Sequence, residues 1–119
     1  MSNHIAFIGV GNMGNPMAQQ LVKAGQNVKV FDVSPDVIEI AKQSGLDAIN
    51  SMEELLQGAT TVISMLPEGK HVRSLYLGDN GILKKIPKDC LIIDCSTIDI
   101  ETSLELGNAA KKIGINMID

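Results

Sequence analysis

Three glycines near the N-terminus constrain this chain more than any other feature. The apolar run that begins at Ile5 breaks into Gly-x-Gly-x-x-Gly at Gly9, Gly11 and Gly14, and a helical pattern follows directly. In a strand–turn–helix unit the first glycine makes the tight turn, the second lets a pyrophosphate approach the backbone, and the third permits close packing of helix on strand. The first helical turn then directs free amides and the positive end of the helix dipole at the phosphates. The pattern predicts a dinucleotide-binding turn.

A second predicted strand, residues 27–32, ends in an acid. Asp32 lies about 20 residues beyond the glycines, where a carboxylate accepts hydrogen bonds from the adenosine ribose hydroxyls. The residues that follow, Val33, Ser34 and Pro35, include no Arg or Lys to meet a 2′-phosphate, and the carboxylate would repel one. The sequence therefore favours NAD over NADP as the cofactor. The alternative for Asp32 is a solvated acid at a strand end.

Strand and helix patterns alternate along the chain. Helices are predicted from the glycines to Gly25, from Pro35 behind the cap Ser34, and behind a capping box at Ser51 and Glu54. Six strands separated by helices or connectors imply an α/β fold, the doubly wound Rossmann sheet with parallel strand order 3-2-1-4-5-6. The remaining predicted strands cover residues 47–49, 61–66, 91–94 and 115–118. The strand at 91–94, the fifth in the chain, is predicted to be buried on both faces. The remaining helices cover residues 69–77 and 99–113.

Length and composition limit the function classes. The 119 residues form one predicted domain, 1–119, and 45% apolar with 20% charged residues is ordinary for a globular protein. A net charge of −4 without a basic stripe argues against a nucleic-acid partner. Apolar runs are too short to span a membrane and no targeting peptide precedes the first strand, so no membrane partner and a cytoplasmic location are predicted.

The two cysteines do not suggest a disulfide or a metal site. Cys90 and Cys95 lie in or beside one predicted strand at an odd spacing, so their side chains point to opposite faces and cannot pair. Neither has neighbouring metal ligands, and no metal is predicted. Both are expected to be buried or half-buried structural thiols.

The ligand of such a sheet lies beyond the carboxyl ends of strands 1 and 4, where strand order reverses. Met65-Leu66-Pro67 ends the fourth predicted strand and can lie against adenine-side or nicotinamide-side groups of the cofactor. Ser96 and Thr97 follow the fifth strand and offer two hydroxyls near the nicotinamide, with capping of the next helix as the alternative. His4, before the first strand, is predicted to lie at the opposite end. His71, Arg73 and Tyr76, on the helix after strand 4, are predicted to be surface, structural or solvated residues.

Three separated segments resemble the β-hydroxyacid dehydrogenase family. They are residues 7–18, residues 64–67 with 81–83, and residues 93–99, and the resemblance covers essentially the whole chain. It is strongest to members that oxidise 3-hydroxyisobutyrate to methylmalonate semialdehyde in valine degradation. The resemblance implies NAD(P)-dependent oxidation of a 3-hydroxy acid, with Ser96 holding the substrate carboxylate or hydroxyl and His71 where relatives carry a small polar cofactor contact. The cofactor-binding residues that it implies are Gly9, Val10, Gly11, Asn12, Met13, Gly14, Asp32, Leu66, Pro67 and Thr97.

The same resemblance implies that more chain completes the enzyme. Family members continue after the sixth strand with a glycine-rich substrate segment, a helix bearing the catalytic lysine, and a helical second domain that drives oligomerisation. The lysine serves as the base that alcohol oxidation needs as hydride leaves. No lysine here matches that motif, so we expect the NAD-binding part of a longer, homo-oligomeric two-domain enzyme, with no catalytic residue of its own and inactive alone. The isolated chain is expected to be monomeric, or to associate through the apolar surface that the second domain would cover. The lysines considered are Lys70, Lys84, Lys85, Lys88, Lys111 and Lys112.

Two alternatives remain open at this point. The substrate could be that of another β-hydroxyacid dehydrogenase or semialdehyde reductase, of the tartronate semialdehyde, succinic semialdehyde or 6-phosphogluconate type. A chain of a different class, a free-standing dinucleotide-binding or redox-sensing module, would show the same glycine turn.

Overall fold

The computed structural model describes residues 3–118 as strands and helices in strict alternation, with one longer connector before the fifth strand. The bounds are β1 His4–Ile8, α1 Gly14–Lys23, β2 Val28–Phe31, α2 Pro35–Gln43, β3 Asp47–Ala48, α3 Met52–Leu56, β4 Ala59–Ser64, α4 Gly69–Leu77, β5 Leu91–Asp94, α5 Ile100–Lys112 and β6 Asn116–Ile118.

The strands form one parallel sheet. Their order is β3-β2-β1-β4-β5-β6, which confirms the predicted topology. Strand order reverses between β1 and β4, where the connections leave toward opposite sides and a crevice opens at the carboxyl ends. The register pairs Ile8 with Ser64 at that end of the sheet, and Ser64 with Asp94 on the next strand.

Helices cover both faces of the sheet. One core cluster packs Phe7 and Val30 against Ala18 of α1 and Ala41 of α2. The other cluster packs the alternate strand residues against α3, α4 and α5. Because neighbouring residues of β1 enter different clusters, this strand is buried on both faces, as a central parallel strand must be.

Local signals that were read from the sequence set the helix starts. Ser34 Oγ accepts a hydrogen bond from the Val37 amide at 3.4 Å, and Pro35 opens α2. Ser51 Oγ accepts from the Glu54 amide at 3.3 Å at the start of α3. These two predicted caps are confirmed.

Three expectations about the strands are corrected. β4 ends at Ser64 rather than at residue 66, so Leu66 lies in the following loop. The prediction of β5 as buried on both faces holds fully on one face only: Ile92 is buried, whereas Leu91 and Ile93 are half-buried, with Ile93 packed against the cluster under α1 and α2. His4 does not precede β1 but opens it: pairing with Ala59 extends the strand.

The environment of His4 is structural. Its side chain is buried, and its Nε2 lies 2.5 Å from the carbonyl oxygen of Leu55. A carbonyl oxygen only accepts, so we assign the donated proton to Nε2. His4 thereby ties the start of the sheet to α3, at the end opposite the crevice.

The two thiols differ more than was predicted. Both cysteines are free; Cys90 is buried, whereas Cys95 is exposed because β5 has already ended at Asp94. The prediction that both are buried or half-buried is therefore wrong for Cys95. Burial raises the pKa of the Cys90 thiol to about 11. Residual burial and then the nearby Asp94 carboxylate raise the pKa of Cys95 above its ordinary value.

We expect a single thiol of the native protein to react with a disulfide reagent such as dithionitrobenzoate. Because the thiolate is the nucleophile, the rate at Cys95 should be slow at neutral pH and rise about tenfold for each pH unit below its pKa. Cys90 should react only after unfolding. Stopped-flow absorbance measures both phases, with Cys95→Ser as the control that removes the native phase. Two thiols reacting at equal rates in the folded protein would contradict this assignment.

Candidate dinucleotide-binding site

A cavity of about 590 Å³ lies at the carboxyl ends of β1 and β4. Its size and mostly apolar wall with a few polar groups are typical of sites that bind small molecules and cofactors. The lining residues are Ile8, Gly9, Gly11, Asn12, Met13, Gly14, Asp32, Val33, Val37, Met52, Met65, Leu66, Pro67, His71, Ser74 and Leu75.

The glycine turn is packed too tightly for side chains at two of its three positions. Gly9 has φ +94°, and a Cβ there would overlap the carbonyl oxygen of Met65. A Cβ on Gly14 would overlap the carbonyl oxygen of Gly9 and approach Phe7 Cε1 to 3.2 Å. Gly9 therefore makes the turn and Gly14 brings α1 onto the strand, as their positions in the motif predict.

Gly11 faces open space. A Cβ built there meets no heavy atom within 4 Å. Behind it, α1 begins without a capping side chain: Met13 occupies the N-cap position and makes no side-chain hydrogen bond, and the first turn carries no acidic residue. An uncapped helix start beside a bare backbone segment suits a phosphate group, which the orphan amides can bind.

Asp32 is held between the glycine turn and the start of α2. Its Oδ2 accepts from the Val10 amide at 3.1 Å, and its Oδ1 accepts from the Ser34 amide at 3.0 Å. Both carboxylate oxygens keep lone pairs for a ligand, because each oxygen can accept more than one hydrogen bond. The next residue, Val33, is 87% exposed at the rim, and none of the described lining residues is Lys or Arg. The site thus offers a carboxylate held by two backbone amides, and no Lys or Arg among its described lining residues.

Ser96 lies beside the cavity rather than on its wall. Its Oγ donates to Asp94 Oδ1 at 2.8 Å and accepts from the Leu66 amide at 2.7 Å. One lone pair of the hydroxyl remains for a ligand. The alternative that Ser96 or Thr97 caps α5 is wrong, because Asp99 occupies the N-cap position and accepts from the Thr102 amide at 3.2 Å.

One wall of the cavity was not anticipated from the sequence. Apolar side chains of α2, α3 and α4 turn toward the cavity: Val37, Met52 and Leu75. They are at helical core positions, so their pattern alone does not separate cavity lining from core. His71 is exposed, as predicted, and also lines this wall with Ser74.

The other residues of α4 are structural, as expected. Tyr76 is buried with its hydroxyl 2.7 Å from Ser64 Oγ. Arg73 forms an ion pair with Glu105 at 2.7 Å and donates to Thr102 Oγ1 at 3.0 Å, which joins α4 to α5. Among residues 3–118 no group of three His, Cys, Asp or Glu side chains is placed to hold a metal ion, and no helix is long and apolar enough to cross a membrane.

Residues 4–119 match a protein family described as the NAD binding domain of 6-phosphogluconate dehydrogenase. The chain belongs to this family. It is 47% identical over 115 residues to the 3-hydroxyisobutyrate dehydrogenase of Pseudomonas aeruginosa, and the match covers 97% of this chain and 39% of that protein. An NAD-dependent L-serine dehydrogenase of the same organism is 43% identical, and that match also covers 97% of this chain and 39% of that protein.

A solved structure gives the same relationship. The 3-hydroxyisobutyrate dehydrogenase of Mycobacterium tuberculosis, determined with L-serine, superposes with a TM-score of 0.87 at 37% identity, over 98% of this chain and 39% of that one. The chain therefore spans about two fifths of the length of these relatives. It is an NAD-binding domain similar to that of the 3-hydroxyisobutyrate dehydrogenases, which confirms the resemblance, the Rossmann fold and the NAD cofactor.

The NAD-binding domain brings most of the predicted site residues together. The cavity wall includes Gly9, Gly11, Asn12, Met13, Gly14, Asp32, Leu66 and Pro67. Val10 is buried behind the turn and contributes its amide to Asp32 instead. Thr97 is exposed and lies off the wall.

Proposed function

We propose that this domain binds NAD for a dehydrogenase that oxidises 3-hydroxyisobutyrate to methylmalonate semialdehyde. The observation that carries the cofactor part is Asp32, held by two backbone amides beside the open backbone of Gly11. The substrate part is supported by the names of the relatives that are 37% and 47% identical to the chain. A second candidate substrate is L-serine, itself a 3-hydroxy acid, because one relative is named for its oxidation and one was solved with it.

In the proposed binding mode, Asp32 accepts hydrogen bonds from the adenosine ribose hydroxyls. The pyrophosphate lies over Gly11 and the start of α1, where the backbone is bare and uncapped. The adenine then fits the apolar wall of Val37, Met52 and Leu75 next to Asp32. Leu66, Pro67 and Thr97 then contact the nicotinamide half of the cofactor, which points toward Ser96.

Ser96 is proposed to contact the substrate hydroxyl rather than the carboxylate. Its own proton points to Asp94 and one lone pair takes the Leu66 amide. What remains is an acceptor, which pairs with a donor such as an alcohol and not with a carboxylate. This geometry supports the hydroxyl rather than the carboxylate as the group that Ser96 contacts.

Turnover is not expected from this chain alone. The bound nicotinamide supplies the hydride acceptor, and the substrate hydroxyl must lose its proton to a base. Among the described lining residues only Asp32 and His71 are ionisable. Asp32 is assigned to the ribose, and the resemblance places His71 where relatives carry a cofactor contact rather than the base. Lys70, the lysine nearest the loop after β4 in sequence, is exposed and paired with Glu68 at 3.4 Å. In this division of labour the present chain binds the cofactor, and the remainder of a longer enzyme supplies the catalytic base.

Titration of the chain with NADH, and separately with NADPH, tests the proposal through the fluorescence of the bound cofactor. Saturable NADH binding, at least tenfold tighter than NADPH binding, is the expected result. Absorbance at 340 nm should show no conversion of NAD with either 3-hydroxyisobutyrate or L-serine. Absence of NADH binding would contradict the cofactor assignment, and turnover would contradict the proposed division of labour.

Further proposals concern the chain as a whole. We propose that residues 1–119 act as one domain, that the chain alone is monomeric, and that the longer enzyme is a homo-oligomer. A cytoplasmic location also stays a prediction. The free-standing module is the competing proposal, and NADH binding with a regulatory partner in place of a catalytic domain would favour it.

A further inference from the structure

A continuous chain of hydrogen bonds runs from the protein core to the loop after β4. The Asp94 carboxylate accepts from Ser64 Oγ at 2.7 Å and from Ser96 Oγ at 2.8 Å, both at Oδ1. Because the proton of Ser64 is given to Asp94, the Tyr76 hydroxyl, 2.7 Å away, must donate to Ser64. The far end is the Leu66 amide, which donates to Ser96 Oγ. We call these four side chains the hydroxyl–carboxylate chain.

The hydroxyl–carboxylate chain is buried at its centre. Ser64, Asp94 and Tyr76 are 0%, 2% and 1% exposed. Asp94 Oδ2 has no hydrogen-bond partner among the described residues, so the bonds at Oδ1 carry the compensation for burying this carboxylate. A group under this constraint has little freedom to turn, and it holds the Ser96 hydroxyl in one orientation.

The loop held in this way packs directly on the glycine turn. Met65 and Leu66 are the residues that a Cβ on Gly9 would strike, with Leu66 Cδ2 at 3.0 Å. Leu66 and Gly9 both line the cavity. The position of the Leu66 amide therefore sets the spacing between the two walls that a dinucleotide would enter.

We propose that Asp94 is a positioning residue for dinucleotide binding: through Ser96 it holds the Leu66 amide, and so keeps the loop after β4 at the spacing from the glycine turn that the cofactor needs. The inference rests on the proposed NAD binding and adds a residue that lies off the cavity wall. Asp94, a buried acid of β5 that does not line the cavity, should therefore affect the affinity for NADH.

Amide hydrogen exchange measured by NMR tests the first step. In Ser96→Ala the Leu66 amide loses its acceptor, and its exchange should accelerate at least tenfold. The Met65 amide is the internal control, since it donates to the Ile8 carbonyl at 2.9 Å, outside the hydroxyl–carboxylate chain, and should exchange as in the wild type. Equal acceleration at both amides would indicate global opening and overturn the local role. Ser96→Thr keeps the hydroxyl and should restore protection.

NADH affinity tests the second step. Ser96→Ala and Asp94→Ala, which remove the hydroxyl and its acceptor, should each weaken NADH binding about tenfold, and Ser96→Thr should bind within threefold of the wild type. Asp99→Ala is the matched control, because Asp99 caps α5 at the end of the loop after β5, which also carries Ser96, without contacting the hydroxyl–carboxylate chain. If Asp94→Ala does not fold, Ser96→Ala alone decides. Failure of the wild type to bind NADH overturns the proposed function and this inference together. Wild-type binding with unchanged affinity in Ser96→Ala overturns this inference alone.

Discussion

Replacing Gly14 with alanine is expected to destabilise the fold by about 2 kcal/mol. Alanine is favoured over glycine in a helix by up to about 1 kcal/mol, which would stabilise α1. The new methyl group, however, would overlap the Gly9 carbonyl oxygen and press on the Phe7 ring. Overpacking costs roughly 1–3 kcal/mol or more, and a backbone carbonyl in a tight turn yields less easily than a side chain. The steric cost should therefore exceed the helical gain, and urea unfolding followed by circular dichroism measures the difference.

The matched control is alanine at Gly11. Its methyl group would meet no atom of the protein within 4 Å, and Gly11 is not among the glycines with positive φ. Stability should stay within about 0.5 kcal/mol of the wild type. NADH affinity should nevertheless fall at least tenfold, because the methyl group stands where the pyrophosphate is proposed to approach. Wild-type stability in Gly14→Ala, or unaltered affinity in Gly11→Ala, would contradict the roles given to these glycines.

The fold was largely predictable because its signals are local. Gly14, as the third glycine of the motif, predicts close packing of helix on strand. Ser34 and Ser51 cap helix starts through hydrogen bonds that span only three residues. The end of β4 was not predictable in the same way. Met65 and Leu66 continue the apolar run, and only the pairing of β4 with its neighbours shows that the strand stops at Ser64.

The candidate site was predictable where backbone geometry dictates it and obscure where side chains meet across elements. The glycine turn and Asp32 follow from spacing alone. The Ser64–Asp94 contact depends on the register of β4 against β5, which places these two residues side by side. A polar residue at the end of each of two adjacent apolar strands is the signal that could have revealed it. Val37 and Leu75 carried no such signal, because an apolar helical residue reads as core.

Replacing Asp32 with alanine is expected to lower NADH affinity by about 10- to 100-fold. Hydrogen bonds to a charged group contribute about 1.5–3 kcal/mol, and the same change releases the Val10 and Ser34 amides that the carboxylate holds. NADPH should lose much less, because the carboxylate that repels its 2′-phosphate is gone. Fluorescence titration with both cofactors measures the ratio of affinities. Asp36→Ala is the control, since it removes an acid of the exposed first turn of α2 that does not line the cavity.

The combined change Asp32→Ser with Val33→Arg should go further and reverse the preference toward NADPH. Ser at position 32 keeps a hydroxyl near the ribose, and Val33 is 87% exposed on the cavity rim, so an arginine there can reach a 2′-phosphate without displacing the core. An arginine–phosphate pair is bidentate and charge-assisted, which makes it stronger than a neutral hydrogen bond such as the one that Ser at position 32 would form with the ribose. If the double variant still prefers NADH, the ribose does not lie at Asp32, and the orientation of the whole dinucleotide along the crevice must be reassigned. If the preference for NADH over NADPH reverses while stability is retained, the carboxyl end of β2 determines the choice of cofactor. That choice is then independent of the hydroxyl–carboxylate chain, which lies on β4 and β5, beyond the point where strand order reverses.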